Sequence, residues 1–134
     1  MRRTIATQMQ RSWSEIPHVT TYGEADAGPL LEARAAAGSP PLEALLIARI
    51  APLLTQYPLF NAMVAGDDVV EKLHYDVGFA VDTPDGLMVA VVRGAEALDV
   101  AELGSEVLRL AEAARSRTAT AEELRGQTLS LIHI

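Results

Sequence analysis

His18, His74 and His133 are the side chains of this 134-residue chain whose ordinary pKa lies close to neutrality. A histidine so poised can act as a general base, drawing the proton from a thiol or hydroxyl as it attacks. It can also ligate a metal, but that needs a second ligand at helical or strand spacing. Neither H-x-x-x-H nor H-E-x-x-H occurs. His18 follows Pro17 at the junction of a helical pattern and a Thr-rich one, and reads as a polar corner residue. His74 precedes a strand pattern and reads as a surface group, and His133 is the penultimate residue. Asp67 and Asp68 are adjacent in a strand connection, where neighbouring side chains point to opposite faces, so a hydrated turn is expected. Asp82 and Asp85 flank a turn in the same way. No G-x-G-x-x-G, G-x-x-x-x-G-K-[ST] or G-x-S-x-G is present, so dinucleotide, P-loop and serine-hydrolase chemistry have no anchor. No metal site is expected.

The elements that would position these groups follow from periodicity. Ile5, Met9, Trp13 and Ile16 recur at helical spacing, and Pro17 ends that helix by forcing the residue before it out of the helical region. Residues 19–25 alternate Val, Thr and Tyr with polar partners and predict a half-exposed strand. A second helix starts near Pro29 and stops at Gly38, and the SPP at 39–41 is a short break. The next helix carries Leu42, Leu45, Leu46, Ile50, Leu53 and Leu54, with Pro52 inside it and Pro58 closing it. Two hairpins follow, one turning at 66–68 and one at Thr83-Pro84-Asp85-Gly86. LMVAVV, at 87–92, is apolar on both faces and predicts a strand covered on each side. A helix over 99–115 has an Asp99/Glu102 capping box and a stripe of Val100, Leu103, Val107, Leu110, Ala111 and Ala114. Thr120 and Glu123 form a second box, Gly126 ends its turn, and the chain finishes in a strand-like TLSLIHI. Helices and strands alternate, so the class is α/β.

The bulk numbers narrow the partners. The length suits one domain with its own core. Net charge is 11 − 18 = −7, which disfavours nucleic acid and anionic membrane surfaces; Arg2, Arg3 and Arg11 read as a solvated helix face. No apolar run approaches the ~18–20 residues of a membrane span. There is no cysteine, which excludes disulfides and thiolate sites and makes a reducing cytoplasm the expected compartment.

The order of whole segments says more than any triplet. RRTIATQMQRSWSEIPHVTTYGEAD at 2–26 is followed by PLFNA at 58–62, DVGFAVDTPDGLMVAVVRGA at 76–95 and EE-L-x-G-x-T at 122–128. Together they resemble the catalytic domain of the dihydrolipoamide acyltransferases, the core components of 2-oxo acid dehydrogenase complexes. The resemblance implies a chloramphenicol-acetyltransferase-like two-layer sandwich, a mixed sheet with flanking helices. It implies trimers that build larger cores, served by decarboxylase and dihydrolipoamide dehydrogenase components. The implied chemistry moves an acyl group between coenzyme A and dihydrolipoamide, both substrates, with no covalently bound cofactor in this chain. A histidine removes the thiol proton and a hydroxyl donor steadies the tetrahedral oxyanion.

The departures bear on activity. The family histidine lies in an H-x-x-x-D-G motif that these residues do not contain. The family hydroxyl strand, T-F-T-[IL]-S-N-[LI]-G, aligns with residues 128–134, placing the serine on Ile132 and the asparagine on His133; Ser130 sits two residues early. No catalytic residue is therefore assigned, and cofactor-binding residues are left unknown. The connection from Gly38 to Pro41 is short for the family, and Ala90 stands where proline is common. Lipoyl and subunit-binding modules are absent from the chain, so residues 1–134 are expected to be the N-terminal portion of the catalytic domain, inactive alone. The alternative is a non-enzymatic scaffold that associates with acyltransferase trimers through exposed strand edges.

Overall fold

The computed structural model describes residues 2–132. Helix α1 spans Arg2–Glu15 and α2 spans Gly28–Ala36. The sequence predicts a strand over 19–25, but residues 16–27 form neither helix nor strand, and Val19 and Tyr22 are exposed. β propensity alone does not make a strand: the backbone needs a ladder partner, and none lies beside this arm among the described residues. The α1 stripe is likewise uncovered, with Trp13 73% exposed and Ile5, Met9 and Ile16 about half exposed.

Helix α2 starts as expected, with Pro29 in its first turn and the Gly28 N–H donating to Asp26 Oδ1 at 2.8 Å. It ends where Gly38 turns left-handed at φ +81°, and Ser39 shares that conformation at φ +57°. Helix α3, Leu42–Gln56, includes Pro52 in its interior, and a 3₁₀ turn over Pro58–Asn61 follows it. The first hairpin is β1 Ala62–Ala65 with β2 Asp68–Glu71, a separate two-stranded sheet. The second is β3 Val77–Thr83 with β4 Gly86–Val92. Strand β5, Leu129–Leu131, joins β3 on its other side in parallel, giving the order β4-β3-β5, a mixed sheet.

Helix α4, Val100–Arg115, begins at the expected capping box: Asp99 Oδ1 accepts from the Ala101 and Glu102 N–H groups at 2.8 Å, and Glu102 Oε2 accepts from Asp99 N–H at 2.9 Å. Such a cap stabilises a helix by about 1 kcal/mol. Leu103, Val107 and Leu110 face α3 and the sheet and are buried with Ile47, Phe79 and Val92. Each large side chain so buried contributes about 1.5–3 kcal/mol.

LMVAVV corrects one expectation. β4 is an edge strand, and only its last three residues, Ala90, Val91 and Val92, are buried; Leu87 is exposed. Ala90 and Val92 face the helices, while the 120–126 turn crosses at Val91, whose N–H donates to Glu123 O at 2.8 Å. A continuous apolar run cannot say how far along its length a covering layer reaches.

Candidate functional site

Strand β5 lies within residues 128–134, where the resemblance sets the family's hydroxyl strand. Its register pairs Leu129 with Val77, Ser130 with Gly78 and Leu131 with Phe79. Ser130 is exposed and Leu131 packs on the core. Ile132 follows the strand, 54% exposed, and offers no hydroxyl. His133 lies outside the described residues. Gly78 leaves no room for a side chain: a Cβ there would come within 2.8 Å of Val89 Cγ1 on β4 and 3.1 Å of Gln127 Cγ, just ahead of β5.

Two charged side chains that motif reading passed over hold this corner. Asp76 precedes β3 and Arg93 follows β4, and Arg93 Nη1 donates to Asp76 Oδ2 at 2.6 Å. The same guanidinium donates through Nη2 to Glu122 O and Arg125 O, each at 2.6 Å. Asp76 Oδ1 accepts from Gly94 N–H at 3.0 Å, and Asp76 O accepts from Thr128 N–H at 2.7 Å. A signal for the pair existed. Antiparallel pairing from Thr83↔Gly86 to Val77↔Val92 sets residues 76 and 93 opposite each other at the next step. Asn61, also passed over, is buried, with Nδ2 donating to Lys72 O at 2.9 Å and His74 O at 3.0 Å, and so fixes the run into β3.

Burial of Asp76 would raise its carboxyl pKa, but the Gly94 N–H and the Arg93 hydrogen bond and charge outweigh it and hold it below the ordinary 3.8. A carboxyl depressed by folding stabilises the protein above its unfolded pKa, and loses that contribution as pH falls through the folded value. Urea unfolding of the protein and of Asp76→Asn is expected to show the largest gap near neutral pH. The gap should close progressively below about pH 4, the ordinary carboxylate range. A gap independent of pH would remove the charged pair as its cause.

The histidines do not converge. His18 Nε2 lies 3.3 Å from Ser12 Oγ, and its ring centroid is 4.9 Å from that of Trp13, an exposed local clip at the end of α1. His74 is exposed and contributes its backbone carbonyl to Asn61. Asp67 and Asp68 are exposed at the first hairpin, and Asp85 is taken up by Arg117 at 2.6 Å. Among the described residues no three His, Asp or Glu side chains gather as a metal site. No helix among them is long and apolar enough to cross a membrane.

Two recesses flank the corner. An apolar one of about 280 Å³ is lined by Ile50, Leu53, Leu54, Tyr57, Phe60 and Leu129. An open trough of about 610 Å³ runs along α4 past Arg93 and Arg109. Its polar groups already satisfy one another, with Arg109 2.7 Å from Glu106 and 2.8 Å from Glu123. Those hydrogen bonds raise the Arg109 pKa further, while the Arg109 hydrogen bond lowers that of Glu106.

Known proteins share both the sequence and this architecture. The chain is 36% identical over 136 residues to the dihydrolipoyllysine-residue acetyltransferase component of the pyruvate dehydrogenase complex of Azotobacter vinelandii, covering 94% of the chain and 21% of that protein. It is 29% identical over 140 residues to the succinyltransferase component of the 2-oxoglutarate dehydrogenase complex of Haemophilus influenzae, covering 98% and 34%. The solved dihydrolipoamide acetyltransferase of Azotobacter vinelandii superposes with a TM-score of 0.91 at 36% identity, over 97% of this chain and 58% of that one. The cubic core of the pyruvate dehydrogenase multienzyme complex superposes with a TM-score of 0.90 at 34% identity, over 98% and 58%. The chain thus spans about a fifth to a third of the length of these curated relatives. The family model for the 2-oxoacid dehydrogenases acyltransferase (catalytic domain) matches residues 1–134, and the chain belongs to that family.

Proposed function

We propose that residues 1–134 form the N-terminal part of an acyltransferase catalytic domain that moves an acyl group between coenzyme A and dihydrolipoamide in a cytoplasmic 2-oxo acid dehydrogenase complex. The observation that carries this reading is the shared fold with the Azotobacter vinelandii acetyltransferase over 97% of the chain at 36% identity. The reaction needs a base beside the attacking sulfur and a donor at the oxyanion. These residues contain no H-x-x-x-D-G, and Ile132 stands at the hydroxyl position, so the chain supplies scaffold and substrate surface rather than the proton acceptor.

Like subunits are the proposed partners. The α1 stripe is exposed among the described residues. Residues 1–16 carry Arg2, Arg3 and Arg11 against Glu15, a net 3 − 1 = +2, leaving −7 − 2 = −9 on the remainder. A basic amphipathic helix and an acidic body are complementary between copies. The decarboxylase and dihydrolipoamide dehydrogenase components would complete the complex.

A chimera tests the reading. Residues 1–130 replace the matching stretch of the Azotobacter vinelandii acetyltransferase, which keeps its own later residues. Acetyl transfer from acetyl-CoA to dihydrolipoamide is expected. A chimera that melts cooperatively and assembles yet transfers nothing overturns the catalytic reading in favour of a non-enzymatic scaffold, for which the same exposed faces would serve.

A further inference from the structure

We infer that Arg93 is a positioning residue: its guanidinium, held by Asp76, bridges the Glu122 and Arg125 carbonyls and so sets where strand β5 lies along β3. The inference rests on the reading that β5 leads to the reacting end of the domain. Among the described residues the strand spans Leu129–Leu131 and pairs with β3. So short a ladder fixes its own register weakly, since typical strands run five to six residues and a slip by one exchanges the two faces. Here a slip would bury Ser130 and expose Leu131.

The restraint comes from the segment leading into the strand. Arg93 Nη2 donates to two carbonyls of the 122–125 turn and Nη1 donates to Asp76 Oδ2, so one planar fork makes three bonds of 2.6 Å to two segments. The turn closes on the guanidinium because Gly126 is left-handed, at φ +83°, and a Cβ there would meet Arg93 Nη1 at 3.2 Å. Two residues on, Thr128 N–H and Oγ1 both donate to Asp76 O, just ahead of the β5–β3 ladder. Asp76 thus meets the crossover from α4 twice, through its side chain by way of Arg93 and through its own carbonyl. Lysine could keep the charge beside Asp76 but has no fork to span two carbonyls and a carboxylate.

Amide hydrogen exchange of the 134-residue protein, without substrate, tests this. Arg93→Lys is expected to speed exchange about tenfold at Thr128 and at Val91, whose N–H donates to Glu123 O, by local opening. The Leu103 and Leu110 amides of α4 should change by less than about twofold. Gly126→Ala, which leaves Arg93 in place but crowds it, should reproduce the pattern, and it supplies the result if Arg93→Lys does not fold. Unchanged Thr128 and Val91 amides overturn the inference. So does faster exchange spread evenly through α4, which would make Arg93 a contributor to global stability only. The acyl-transfer reading can fail in the chimera while this result stands, and the reverse.

Discussion

Supplied with acetyl-, isobutyryl- or succinyl-CoA and dihydrolipoamide, the 134-residue chain is expected to give no turnover above the uncatalysed exchange. A positioned general base contributes about 10²–10⁴-fold, and an oxyanion donor about 10²–10³-fold. On the proposal that these residues hold neither in the family's place, a deficit of about 10⁴-fold or more relative to a whole catalytic domain is expected from those two losses. Dihydrolipoamide thiols are largely protonated near neutral pH, so the attacking sulfur needs a base to take its proton. Turnover that survives substitution of His18, His74 and His133 together would overturn the family mechanism for this chain. Turnover abolished by His18→Ala alone would assign catalysis to the exposed Ser12–His18 contact at 3.3 Å.

Leu103→Ala is the substitution expected to weaken the fold most. Leu103 is fully buried between α3 and the sheet, and its removal leaves a cavity that the two-layer packing cannot close, costing about 3–4 kcal/mol. Domains are stable by about 5–15 kcal/mol, so the urea midpoint should fall by a large fraction. Leu108, on the same helix but 61% exposed, should tolerate alanine within about 0.5 kcal/mol. Equal losses at the two positions would mean that the uncovered face of α4 is buried by a partner in solution.

The same contrast explains how much of the fold was legible. Helix α4 could be read nearly residue by residue, because its cap and its stripe are local: Asp99 and Glu102 satisfy each other across one turn, and Leu103, Val107 and Leu110 share a face by spacing alone. The β3–β4 hairpin was legible for a similar reason, its turn fixing which residues oppose which. Residues 19–25 were not, because their pattern promised a strand while pairing depends on a partner elsewhere. Trp13 and Met9 had the spacing of a core-facing stripe, yet the chain's own core lies against α3 and α4 instead.

Of the site, the spacing offered no metal, dinucleotide or serine-hydrolase motif, and the segment order resembled an acyltransferase domain whose H-x-x-x-D-G these residues do not contain. Asp76 and Arg93 escaped because their meaning is relational. A carboxylate and a guanidinium 17 positions apart become a hub only when a hairpin folds them together and a returning crossover brings the carbonyls of Glu122 and Arg125 within reach.

The sequence by itself therefore determined the family and the capped, periodic elements, since caps, periodicity and motif content depend on neighbours along the chain. Only the tertiary structure decided that β4 lies at an edge of the described sheet, that Trp13 and Tyr22 are exposed, and that Arg93 meets the Glu122 and Arg125 carbonyls. Those facts depend on burial and hydrogen bonding between residues distant in sequence, which no local pattern encodes.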